Sequence, residues 1–145
     1  MIAVDTNLLV HAHQRESELH PSAQRMVRHL AESPSPWVIC FHSLVEFYAV
    51  ATHPRLWKQP STPAQAWDQI AAWRESPSLR IITDTDDVLN CLEKLATSAR
   101  VRGGQIHDAR IAACCLTCGA SELWTIDRDF SRYPGLKTRN PLASK

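Results

Sequence analysis

The chain has 145 residues and a net charge of +1, from sixteen Lys and Arg against fifteen Asp and Glu. At roughly 150 residues per domain it is read as one domain, 1–145, long enough to bury a proper core. With 44% hydrophobic and 21% charged residues, the composition excludes a disordered chain, an acidic tail and a strongly cationic nucleic-acid coat; a nucleic-acid enzyme with segregated charge stays open.

Ile2-Ala3-Val4 reads as a short buried strand closed by Asp5-Thr6-Asn7, with Leu8, Leu9 and Val10 starting a helix. Pro21 suits a first helical turn, and Ala23, Met26, Val27 and Leu30 form an apolar stripe to about Ala31. After the Ser33–Pro36 loop, Trp37–Phe41 is a second strand. Ser43 opens a helix to about Thr52, which His53-Pro54 ends because the residue before proline leaves the helical region. A Pro-containing connection, 54–62, leads to a helix from Thr62-Pro63 to about Glu75, with Trp67, Ile70 and Trp73 on its inner face.

Leu79–Ile82 is a third strand, and Thr85–Ala99 a helix with Val88, Leu89, Leu92 and Leu95 inward. Arg100–Gly104 is a basic turn before a helix over His107–Cys118, where Gly119 suits a left-handed cap. Glu122–Ile126 is a fourth strand, and Leu136–Thr138 a short fifth. Strands alternating with helices imply an α/β fold of three layers, α/β/α, around a largely parallel sheet of four to five strands. Ligands of such sheets bind outside the carboxyl ends of the strands.

No apolar run approaches the roughly 18 residues of a membrane span. Met1 leads straight into Ile2-Ala3-Val4-Asp5 without the basic start of a signal peptide. With an odd five cysteines, the expectation is a cytoplasmic protein with free thiols and no membrane partner. Cys114, Cys115 and Cys118 follow Ile111-Ala112-Ala113 on an apolar helix and read as core. His11, His13 and His20 lack metal-ligand spacing, and His107 reads as a surface or capping residue. Among the tryptophans, Trp57 in the Pro-containing connection is the best interface candidate.

Acids recur at one kind of place. Asp5 ends the first strand, Glu46 lies in the first turn of the helix after the second, Asp108 opens the helix after Gly103-Gly104, and Asp127 ends the fourth strand with Asp129 beyond it. Each has a local reading. Asp5 suits a helix cap, Ser43-x-x-Glu46 a capping box, Asp108 the helix dipole, and Asp127-Arg128-Asp129 a solvated turn. Asp84, Asp86 and Asp87 serve as a control, read as capping the next helix. A cap needs only an oxygen, yet all four candidate positions are carboxylates. Two like charges 4 Å apart at an effective dielectric of 20 repel by about 4 kcal/mol. A convergent cluster therefore needs a cation or takes up protons, and hard oxygen donors point to Mg²⁺ or Mn²⁺.

Ile2-Ala3-Val4-Asp5-Thr6-Asn7, Ser43-x-x-Glu46, His107-Asp108-Ala109 and Thr125-Ile126-Asp127-Arg128-Asp129-Phe130 resemble, in order and spacing, the PIN-domain ribonucleases, and among them the VapC-type toxins. The resemblance runs from Met1 to about Pro141. It implies a Mg²⁺- or Mn²⁺-dependent endoribonuclease that cuts structured RNA, tRNA or rRNA, by metal-activated water. It implies a homodimer restrained by a cognate antitoxin whose C-terminal tail blocks the site. By position, Asp5, Glu46, Asp108 and Asp127 become catalytic metal ligands, with Asp129 as alternate to Asp127. Asn7 and Thr125 become hydrogen-bonding supports. Arg100, Arg102, Arg110 and Arg128 are the candidate RNA contacts.

A phosphoacceptor receiver domain would want an acid pair near the first strand, which the Asp5 neighbourhood lacks. A haloacid-dehalogenase-like phosphatase needs a second acid two residues after its nucleophile, where this chain has Asn7. A catalytically silent PIN-like module would bind RNA or antitoxin without cutting, but none of the four acids is missing.

Overall fold

A computed structural model describes residues 1–143. Five strands, β1 (Ile2–Val4), β2 (Trp37–Cys40), β3 (Leu79–Ile82), β4 (Glu122–Trp124) and β5 (Thr138–Arg139), form one sheet in the order β3-β2-β1-β4-β5. Every neighbouring pair is parallel. The helices are α1 (Thr6–His13), α2 (His20–Glu32), α3 (Phe41–Ala51), α4 (Pro63–Arg74), α5 (Asp86–Ser98) and α6 (Ile106–Cys118). The α/β/α layering with a parallel sheet is the fold expected from the sequence.

The period of two sorts the residues of β2 between two cores. Trp37 and Ile39 pack with Leu8, Phe47, Ile70 and Trp73 on the face covered by α1–α4. Val38 and Cys40 pack with Ala112, Cys114, Leu123 and Phe130 on the face of α5 and α6. The central strands are buried on both faces, so they read as unbroken apolar runs rather than alternation. Cys114 and Cys115 belong to this second core, and all five cysteines are free.

The chain leaves β1 for β2 and β3 on one side, then returns to β4 and β5 on the other. The order therefore reverses at β1, which places the ligand-binding crevice at its carboxyl end. Asp5 is the next residue, and its amide donates to the Trp124 carbonyl at 3.0 Å.

Several boundaries differ from the sequence reading. Phe41 leaves β2 and begins α3, so Ser43 is inside the helix with its hydroxyl buried and unpartnered. Ser43-x-x-Glu46 is therefore no capping box, and Glu46 lies in the second turn. The N-cap of α5 is Thr85, whose hydroxyl accepts from the Val88 amide, with Asp86 and Asp87 behind it in the first turn. β4 ends at Trp124, two residues early, and β5 is Thr138–Arg139. Trp67 and Leu89, expected inside, are 59% and 63% exposed. Gly119 closes α6 at φ 76°, where a left-handed cap was expected. Among the described residues no helix is long and apolar enough to cross a membrane.

Candidate metal centre

Four places in the fold supply the acids. Asp5 stands at the β1–α1 junction, where its carboxylate Oδ1 caps α1 by accepting from the Thr6 amide at 2.7 Å. Asp127 follows β4 and caps the 3₁₀ turn Arg128–Arg132, accepting from the Asp129 amide at 2.9 Å. Glu46 and Asp108 come from α3 and from the first turn of α6. A cavity of about 400 Å³ is lined by Asp5, Asn7, Glu46, Asp108 and Asp127. Val10, Val50, Leu56 and Trp57 add apolar lining. Asp129 is exposed and does not line it.

Asp5 is the buried centre, only 4% exposed. The Thr125 hydroxyl donates to its Oδ2 at 2.7 Å and accepts from the Asp127 amide at 3.0 Å and, more weakly, from Asn7 Nδ2 at 3.4 Å. Thr125 thereby ties β1 to the β4 exit. Burial pushes the Asp5 carboxyl up to about 7, with Asp108 and Glu46 adding to the rise and the bonds from Thr125 and Thr6 opposing it. The Asp108 carboxyl also lies above the usual carboxylate range, first through burial, then through Asp127, Glu46 and Asp129, against His107.

Among the described residues no Lys or Arg makes an ion pair with any of the four acids. The donor set is oxygen from clustered carboxylates, two of them held up in pKa first by burial and then by the neighbouring acids. A hard divalent cation fits that set. Of the candidate RNA contacts, Arg100, Arg102 and Arg128 are exposed. Arg110 turns to Asp84 and His42 instead.

His42 is a neighbour that the sequence reading missed, although its i, i+4 spacing from Glu46 on one helix is visible in the sequence. Its Nε2 lies 2.5 Å from Glu46 Oε1, off the hydrogen-bond axis, and neither atom has another partner. His42, Glu46 and His107 hold potential ligand atoms within 4.8 Å of one another. Arg110 Nη1, however, donates to His42 Nδ1 at 2.9 Å. A neutral ring that accepts there carries its proton on Nε2, so the His42 nitrogen beside Glu46 has no lone pair to offer a metal. Burial, assisted by Arg110 and His107 against Glu46, pulls the imidazolium below the ordinary histidine range.

The comparisons agree with this architecture. The chain belongs to the PIN domain family, whose model matches residues 2–136. Among curated relatives, Ribonuclease VapC43 of Mycobacterium tuberculosis is 30% identical over 142 residues, covering 98% of this chain and 96% of that protein. Among solved structures, VapC20 of M. tuberculosis, described as a sarcin-ricin loop cleaving toxin, aligns with a TM-score of 0.67 at 22% identity. That match covers 90% of this chain and 93% of the other. A toxin-antitoxin complex from Klebsiella pneumoniae contains a chain that aligns with a TM-score of 0.68 at 19% identity, over 97% of this chain and 98% of that one.

Proposed function

We propose that this chain is the endoribonuclease toxin of a toxin–antitoxin pair. It hydrolyses phosphodiester bonds in structured RNA, tRNA or rRNA, with Mg²⁺ or Mn²⁺ held by Asp5, Glu46, Asp108 and Asp127. The observation that carries the reading is the convergence of these acids around a buried Asp5 whose carboxyl is raised to about 7. Family membership and the VapC ribonuclease relatives support it.

When bound, the ion polarises the phosphate and makes water a better nucleophile at neutral pH. The chain supplies the frame. Thr6 and Thr125 fix both Asp5 oxygens. The first turn of α6 presents Asp108, and the 3₁₀ turn presents Asp127. Asn7 supports Thr125. Arg100, Arg102 and Arg128 are free at the surface to meet phosphates, whereas Arg110 serves Asp84 and His42. Water rather than the ribose 2′-OH attacks phosphorus, which yields a 5′-phosphate and a 3′-hydroxyl, and preference for RNA comes from binding. The protein works in the cytoplasm as a homodimer, and a cognate antitoxin restrains it by covering the acids with its tail.

The test is cleavage of a total tRNA and rRNA pool by wild type and Asp108→Asn, with Mn²⁺, with Mg²⁺ and with EDTA. Discrete fragments that require metal and vanish in the variant are the expected result. Equal fragments from Asp108→Asn, or none from a folded, metal-loaded, antitoxin-free wild type, would sink the reading and favour a silent binding module.

A further inference from the structure

Arg110 lies two residues after Asp108, yet its guanidinium pairs with none of the four acids. Its Nε donates to Asp84 Oδ2 at 2.7 Å, and Nη2 pairs with the same oxygen. Nη1 donates to Nδ1 of His42 at 2.9 Å, and Nε2 of His42 stands 2.5 Å from Glu46 Oε1. The His42 ring also stacks on His107, the neighbour of Asp108, with centroids 5.1 Å apart and planes 18° apart. A line of contacts therefore runs from the β3–α5 link through α6 to α3 and ends at the Glu46 carboxylate.

The chain of contacts has a direction. Asp84 fixes the guanidinium fork. The fork only donates, so it meets His42 on a lone pair and leaves the ring proton on the nitrogen that faces Glu46. An Asp84–Arg110 pair alone, half open to solvent, stabilises little. Its reach to His42 is what connects it to the site. Glu46 Oε1 is buried without a hydrogen-bond partner, and His42 Nε2 is the polar atom set against it.

We propose that Asp84, Arg110 and His42 are positioning residues for the cleavage reaction, holding the Glu46 carboxylate in place as one of the acids that would bind the cation. The inference rests on the reading of Glu46 as a metal ligand. Partners that orient a metal-ligating group commonly cost ten- to a hundredfold in metal affinity when removed.

The test is Mn²⁺ binding to RNA-free protein, followed by the electron paramagnetic resonance signal of unbound Mn²⁺, with thermal unfolding in EDTA as the control for folding. Arg110→Met and His42→Ala are expected to raise the half-saturating Mn²⁺ about tenfold or more. Asp84→Asn gives a smaller shift in the same direction. His42→Gln, whose amide N–H replaces Nε2–H, restores most of the affinity. Should His42→Ala not fold, His42→Gln and Arg110→Met carry the test. Wild-type affinity in folded Arg110→Met, or His42→Gln as weak as a folded His42→Ala, overturns the proposal. Failure of the metal reading is recognised separately, because wild type then binds no Mn²⁺ that Asp108→Asn loses.

Discussion

At the start of α5, Asp86 and Asp87 stand in the first helical turn, exposed, with Thr85 as the cap. At the carboxyl edge of β1 and β4, Asp5 and Asp127 also cap helical turns, and Asp108 also stands in the first turn of α6. Locally the two regions have the same chemistry: an acid complementing the positive end of a helix. They differ in what surrounds the carboxyl. The α5 acids point to water, which solvates each one separately. The edge acids come from different elements into one cavity, and Asp5 is almost fully buried there. An acid at a helix start is thus ordinary, whereas several aimed at a single buried point leave charge that only protons or a cation can neutralise.

The largest effect expected to separate the regions is catalytic. Asp108→Asn or Asp5→Asn reduces metal-dependent RNA cleavage to background, while the double variant Asp86→Asn/Asp87→Asn retains wild-type activity, read on the same RNA pool. Loss of cleavage in the α5 double variant would break the comparison.

The next effect is on stability. The Asp5 carboxyl is raised from 3.8 to about 7, so the folded metal-free protein binds more protons than the unfolded chain between those values. The contribution of this carboxyl to stability is fully present below pH 3.8 and is lost as pH rises through about 7. The shift corresponds to about 4 kcal/mol at about 1.4 kcal/mol per pH unit. Urea unfolding in EDTA at pH 5 and pH 8 should show wild type losing a large part of this and Asp5→Asn losing much less. A wild type equally stable at both pH values would place Asp5 in a solvated setting like that of Asp86.

Thr125→Val removes a donor to Asp5 and an acceptor for the Asp127 amide. A hydrogen bond to a charged group is worth about 1.5–3 kcal/mol, so loss of that order is expected in denaturant unfolding at pH 8, together with weaker Mn²⁺ binding. Smallest is Thr85→Ala, which removes the α5 cap at a cost of about 1 kcal/mol and leaves Mn²⁺ affinity unchanged.

Much of the fold was legible because its signals are local. Ile2–Val4, Trp37–Cys40 and Leu79–Ile82 are apolar runs of strand length, and Pro21, Thr62-Pro63 and Gly119 mark helix ends. The acids followed from strand ends and helix starts, which the parallel topology turns into one edge. What was not legible depends on contacts between distant positions. Arg110 meets Asp84 across 26 residues and His42 across 68, so no local pattern separates it from a surface arginine awaiting phosphate. Asp84 reads as a helix cap for the same reason. Periodicity also overstated burial. Trp67 lies on a helical stripe but packs outward against Tyr48, centroids 5.4 Å apart, because apolar spacing identifies a face and not what covers it. Phe41 reads as strand by its β propensity, yet the sheet register ends at Cys40 opposite Ile82.

The central claim is that burial around Asp5 turns separate carboxylates into one cation site. Mn²⁺ titration of RNA-free wild type and Asp5→Asn, at pH 5 and pH 8, tests it most directly. A ligand must lose its proton to bind metal, so wild type should bind Mn²⁺ at pH 8 and much more weakly at pH 5, and Asp5→Asn weakly at both. Equal Mn²⁺ binding by wild type and Asp5→Asn at pH 8 would contradict it.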